Sequence, residues 1–219
     1  MKFPKTIQPL KPTFFARPTL EVARDLIGVL LVHTLPAGER LVGRIVEAEA
    51  YTQDDPAFRS WGVVDAATGL VKPEGRAYAL FGPPGRAYVY RCYNHWLLNV
   101  VTEPEGRAGC VLLRAVEPLA GRDVMWTRRE AARREVDLAN GPGKLTQAFD
   151  VDRRFHGQPL TAPPLYLAED DEGRDWPIAT SSRIGLHFGV DLPYRFFVDD
   201  HPFVSRGIPS DVAVRKRGR

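Results

Sequence analysis

Arg44-Ile45-Val46-Glu47-Ala48-Glu49-Ala50-Tyr51 begins as an alternating apolar strand, then places two carboxylates and a tyrosine where core residues are expected. A period of two sends Leu41, Gly43, Ile45, Glu47, Glu49 and Tyr51 to one face. It sends Val42, Arg44, Val46, Ala48 and Ala50 to the other. Neither face is consistently apolar. Two readings fit: an edge strand whose charged end is solvated, or a strand that gives up local consistency at a functional site.

The rest of the chain bears on that choice. Its 219 residues suffice for one large domain or two small ones with a good core. A composition 44% apolar and 26% charged is that of a globular protein. The formal net charge of +3 argues only weakly for an acidic partner. Of the 30 Lys plus Arg, only Lys2, Lys5, Lys11, Lys72, Lys144 and Lys216 are lysine. Arginine suits phosphate forks and base stacking, although a GC-rich genome gives the same bias.

Cys92 and Cys110 each sit in an apolar run and read as reduced core residues. The N-terminus lacks the apolar core of a signal peptide and no apolar run approaches a membrane span, so a cytoplasmic protein without a membrane partner is expected. His33, His95, His156, His187 and His201 lack ligand spacing and no Cys-x-x-Cys occurs, so no metal site is expected.

Proline-rich residues 1–12 read as a flexible arm. Thr19 can cap a short helix with the stripe Leu20, Ala23, Leu26 and Ile27, closed by Gly28. Val29–His33 and Arg40–Tyr51 read as strands about a Pro36–Glu39 turn. Residues 52–87 are turn-rich yet hold Phe58, Trp61, Tyr78 and Phe81, which suits a folded lid or binding loop. Tyr88–Cys92 and Leu97–Val101 make a hairpin, and Cys110–Val116 is a further strand. Gly121–Glu135 reads as a helix with a basic face, Asn140–Gly143 as a turn into a helix through Phe149. Pro164–Ala168 and Tyr194–Val198 are late strands. Hairpins with helices between them predict a single α+β domain with a curved, mainly antiparallel sheet and surrounding helices.

Three features could carry chemistry beside Glu49. Arg114, inside Cys110–Val116, is costly to bury without a carboxylate partner, and Glu47 and Glu49 are the natural ones; otherwise it snorkels to water from a strand end. Tyr51, Tyr88, Tyr90, Tyr93 and Trp96 are either half-buried packing residues or a stacking platform for unpaired bases. Gly141-Pro142-Gly143-Lys144 opens a helix with free amides, a plain turn or an anion contact, but lacks Walker spacing. A lone carboxylate base, an aromatic slot and many arginines suit metal-free hydrolysis at a sugar carbon bearing a base. A carbohydrate hydrolase is the rival and needs two carboxyl groups facing across the bond. Glu47 and Glu49 lie about 7 Å apart along one strand and project the same way.

Six blocks carry a resemblance: Val22–Gly28, Gly43–Tyr51, Asp55–Ala57, Pro84–Tyr90, Cys110–Leu119 and Gly141–Ala148. In this order, over about Phe14 to Ser205, the chain resembles the alkyladenine (3-methyladenine) DNA glycosylase family. The resemblance implies a glycosylase domain over 13–206 followed by a basic tail over 207–219. It implies a monomer, nucleoid-associated if bacterial, that needs no cofactor. Acting from the minor-groove side of double-stranded DNA, it would excise alkylated or deaminated purines and leave an abasic site. Glu49 would activate the water, Arg114 would position Glu49, and the Ile184 carbonyl would help hold the water. Tyr51 and Tyr90 would sandwich the flipped base, Asn99 would crowd the 2-amino group of guanine, and Tyr93 would fill the gap in the stack.

Two departures stand out. Arg59 replaces the histidine usual in the base slot; a cation with donors only disfavours cationic bases and points to neutral ones such as hypoxanthine or ethenoadenine. Tyr93–Asn99 is one residue shorter than usual, so either the turn is tighter or Tyr93 and Asn94 share the wedge differently. If either change spoils the slot, the alternative is a non-catalytic damaged-DNA binder.

Overall fold

The chain, described here by a computed structural model over residues 7–59, 65, 67–68, 75–170 and 175–217, winds around its longest strand. In order the elements are α1 (Pro12–Phe15), α2 (Thr19–Asp25), β1 (Leu30–Thr34), β2 (Arg40–Thr52), α3 (Pro56–Arg59), β3 (Ala87–Cys92), β4 (His95–Val101) and β5 (Gly109–Ala120). Then come α4 (Arg122–Arg128), α5 (Pro142–Phe149), β6 (Leu165–Ala168), β7 (Ile178–Ser181), β8 (Arg195–Val198) and α6 (Ser210–Arg217). The strands form one antiparallel sheet in the order β3-β4-β5-β2-β1-β6, with β8 also on β2 and β7 on β8. The expected α+β domain is therefore the one that forms.

β2 holds this sheet together because it changes neighbours halfway. Residues 40–44 pair with β1, whereas Glu47, Ala48 and Glu49 pair with Phe197, Phe196 and Arg195 of β8. At the changeover, opposite β5, Ile45 faces Val116, Glu47 faces Ala115 and Ala48 faces Leu113. Val46 and Arg114 are thus extra residues, a β-bulge in each strand. The bulge corrects the simple period. Leu41 and Ile45 before it and Val46, Ala48 and Ala50 after it all enter the main core. Glu47, Glu49 and Tyr51 are left for the opposite face, and the ambiguous stretch becomes two clean faces.

That core packs the sheet against α2 (Val22, Ala23) and α5 (Leu145, Ala148, Phe149). Each fully buried aliphatic side chain contributes about 1.5–3 kcal/mol. A smaller cluster on the opposite face joins Tyr51, Phe58, Leu80, Tyr88, Cys110 and Leu112.

Several local expectations are corrected. Thr19 does not cap α2, because Pro18 holds that position; the buried Glu103 carboxylate accepts from the Thr19 N–H and hydroxyl, both at 2.8 Å, and suits the positive helix end. The helix from Gly121 stops at Arg128, since buried Arg129 turns its guanidinium to the Leu138 carbonyl and the Gln147 side chain. Its basic face is partly neutralised by Arg122–Glu135 and Arg134–Asp137 pairs at 2.9 and 3.0 Å. Residues 7–12 are docked rather than loose: Ile7 and Leu10 are buried and the Leu10 N–H donates to Leu167. Trp61 lies outside the described residues.

Candidate active site

The face that loses its apolar residues at the bulge gains a buried charge cluster. Glu47 and Glu49 have no exposed surface, so the solvated-edge reading fails for both. Leaving such carboxylates unpaired would cost several kcal/mol. The fold meets that cost with two arginines from the flanking strands. Arg114, the bulged residue of β5, donates from Nε to Glu47 Oε1 at 2.8 Å and brings Nη1 to 3.3 Å from Glu49 Oε1. Arg195 of β8 donates from Nε to Glu47 Oε1 at 2.7 Å. The Ser205 N–H and hydroxyl complete the shell of Glu47 at 2.7 and 2.8 Å.

Glu49 is held differently. Its Oε1 accepts the Ile184 N–H at 2.7 Å, and its Oε2 accepts the Tyr51 hydroxyl at 2.9 Å. Ile184 thus meets the carboxylate through its amide. A carboxylate oxygen commonly accepts two or more hydrogen bonds, and among the described residues Oε2 has only the Tyr51 hydroxyl as donor, which leaves it accepting capacity.

Electrostatics follow this geometry. Burial opposes ionisation of Glu47, but Arg114 and Arg195 outweigh it and hold its carboxyl below the usual range. Burial likewise opposes the Arg114 cation, and Glu49 and Glu47 more than compensate. The Tyr51 phenol is pushed well up by burial and by Glu49, so it stays a donor to that carboxylate. Tyr90 is raised in the same direction, chiefly by burial.

The aromatic residues separate by depth. Tyr88 and Tyr51 are buried, while Tyr90 is half-buried, its ring 5.4 Å from that of Tyr88. Asn99 has no exposed surface; its Nδ2 donates to the Tyr88 carbonyl at 3.1 Å and its Oδ1 accepts from Cys110 Sγ at 3.8 Å. Tyr93 stands apart: it is 94% exposed at the tip of the β3–β4 hairpin. Cys92 pairs with His95, so Tyr93 and Asn94 alone make the turn, and Tyr93 adopts a left-handed φ of 51°. The β3–β4 connection is therefore a two-residue turn. Gly143 and Thr146 of α5 brace it rather than form an open anion site. The Thr146 hydroxyl donates to the Trp96 carbonyl at 2.7 Å, and a Cβ on Gly143 would come within 2.8 Å of His95. Arg59 ends α3, but its side chain lies outside the described residues.

Sequence reasoning missed four members of this region. Arg195 and Ser205 complete the shell of Glu47. Arg183, fully buried, forks onto the Asp55 carboxylate, donates to the Ala50 carbonyl at 2.8 Å and lies 4.6 Å from the centre of the Tyr51 ring. Arg195 carried the signal that exposed Arg114, an arginine between strand aromatics; Arg183 carried none.

No group of three or more His, Cys, Asp or Glu able to hold a metal comes together among the described residues. Among the same residues no helix is long and apolar enough to cross a membrane. What the cluster offers is a carboxylate, Glu49, with accepting capacity left on the oxygen that meets the Tyr51 hydroxyl. Glu47, enclosed by its four donors, is badly placed to face Glu49 across a glycosidic bond.

Comparison with known proteins agrees with this chemistry. A family model described as methylpurine-DNA glycosylase matches residues 13–202. A relative from Salinibacter ruber, named as a candidate 3-methyladenine DNA glycosylase, is 55% identical over 206 residues, covering 93% of this chain and 100% of that protein. One of the same name from Carboxydothermus hydrogenoformans is 42% identical, covering 88% and 96% of the two chains. Another from Gloeobacter violaceus is 40% identical, covering 92% and 89%.

Proposed function

The chain belongs to the methylpurine-DNA glycosylase family, and from that premise we propose that it is a monofunctional enzyme with Glu49 as its general base. Its substrate is a damaged purine in double-stranded DNA, approached from the minor groove by a monomer. The observation that carries this reading is the buried Glu49 carboxylate. Ile184 and Arg114 occupy one oxygen, and among the described residues the other accepts only from Tyr51, which leaves it an acceptor for the attacking water. Glu49 takes a proton from that water as the water oxygen bonds to the deoxyribose C1′. The C1′–N bond breaks and its electron pair leaves with the base. An alkylated, cationic purine departs neutral; a neutral purine such as hypoxanthine must gain a proton as it goes. The product is an abasic site with the strand intact.

The remaining residues serve flipping and recognition. Tyr51 and Tyr90 stack on the extruded base, Asn99 excludes the 2-amino group of guanine, and Tyr93 fills the vacated stack. Extrusion costs a few kcal/mol, least for a damaged or mispaired base. Arg59 biases the slot toward neutral lesions.

The test is single-turnover base release from duplexes carrying one 3-methyladenine, 7-methylguanine, ethenoadenine or hypoxanthine. Release without strand cleavage is expected, with the neutral pair favoured. Glu49→Gln is expected to lower the rate at least about 1000-fold, within the range for losing a general base, while damaged-duplex affinity stays within about twofold. Turnover retained by that variant would remove Glu49 from the mechanism.

A further inference from the structure

We propose that Glu47 is a positioning residue for this hydrolysis: by holding the Nε edge of Arg114, it keeps the guanidinium from forking onto Glu49 and so preserves an acceptor for the water. The inference rests on the reading of Glu49 as the base.

A guanidinium presents parallel N–H bonds that fit both oxygens of one carboxylate. Were Arg114 to fork onto Glu49 in that way, both oxygens would be engaged and the water would lose its acceptor. In the structure the fork is turned away. Nε lies 2.8 Å from Glu47 Oε1, Nη2 lies 3.4 Å from the Ser205 hydroxyl, and only Nη1 approaches Glu49, at 3.3 Å. The paired bulges at Val46 and Arg114 set this arrangement.

Glu47 can hold Arg114 because other groups hold Glu47. Arg195 approaches from β8, and the Ser205 N–H and hydroxyl close the far side. The charges facing the cluster are Glu47 and Glu49 from β2, Arg114 from β5 and Arg195 from β8, which sum to zero. The phenols of Tyr51 and Tyr90 and the Arg183–Asp55 pair border it. Loss of the Glu47 charge alone would move the pH dependence and leave the plateau rate; loss of its hold on Arg114 lowers the plateau as well.

Glu47→Gln keeps the shape and removes one charge, leaving Glu49 as the carboxylate shared by two guanidiniums. The expected result in single-turnover excision is a rate at neutral pH lower by at least about tenfold. The acid limb of the pH–rate profile should also shift to lower pH, as the loss of a neighbouring carboxylate dictates. Damaged-duplex affinity should stay within about twofold. A plateau rate within about twofold of native, wherever the acid limb lies, overturns the proposal. Should Glu47→Gln fail to fold by circular dichroism, Arg195→Gln decides. It leaves the bond from Arg114 to Glu47 in place, so the plateau rate should stay within about threefold of native; a larger loss overturns the proposal. Failure of the underlying reading looks different: the native chain would release no base, or Glu49→Gln would keep its turnover.

Discussion

Arg183 has no exposed surface, and its charge is answered by one carboxylate, that of Asp55. Carbonyls of Ala50 and Gly189 accept at 2.8 and 3.4 Å, and the rings of Tyr51 and Tyr194 flank the guanidinium at 4.6 and 5.4 Å. Its Nε has no hydrogen-bond partner among the described residues. The next residue, Ile184, is the one whose amide holds Glu49. Asp55 therefore fastens the loop after β7 to the end of the strand that carries Glu49. Asp55→Ala would leave a buried cation unpaired, a loss of about 3–5 kcal/mol. The expected melting temperature is lower by about 10 °C. Calorimetry on the purified variant checks this, and a drop of under 2 °C would assign the pair no structural weight. The Glu47 carboxyl acts in the same sense on acid stability. Held below its usual range, it adds stability that is present above the ordinary value of 4.5 and lost as pH falls through its depressed value.

At the scale of elements, the β3–β4 hairpin is built to keep one side chain in solvent. A two-residue turn leaves no slack, and α5 grips its second strand through Thr146 and Gly143. Tyr93 bears the left-handed backbone at a cost of about 1 kcal/mol that glycine would avoid. A large aromatic kept at such a position points to a use for the ring. If that use is to replace an extruded base in the stack, Tyr93→Ala should slow excision from a duplex at least about tenfold. Excision of the same lesion from a single strand, where no stack needs filling, should change by less than about twofold. Equal losses on both substrates would mean that Tyr93 serves the slot itself.

For the molecule as a whole, part of the arginine content is committed to internal pairs. Arg44, Arg114, Arg183 and Arg195 are buried in ion pairs, and Arg122 and Arg134 are paired at the surface. With a formal charge of +3, the chain has only a small excess of cations over anions to offer phosphates. Damaged-duplex affinity should therefore fall with salt at a log–log slope of about −2 to −4, far from the slope of roughly −10 of a strongly basic DNA binder. Titrations between low and physiological salt measure this, and a slope steeper than about −6 would reveal a larger phosphate footprint. The same commitment explains what the sequence could tell. Arg114 was legible as a partner for Glu47 or Glu49 because a charge in an apolar strand demands one. The bulge was not, since Ile45 and Val46 are both β-branched and neither signals that they share a face. Nor was Arg183, whose carboxylate lies 128 residues away in a turn-rich stretch without a period.

The two clusters on opposite faces of the sheet carry a consequence for how such an enzyme changes over time. The helix-covered side bears the packing that keeps the chain folded, and the other side bears the charges and rings. Contacts that do not meet contribute almost independently. A lineage can therefore tune its thermal tolerance from the helix-covered side without touching the slot, whereas exchanges among the buried charges move both at once.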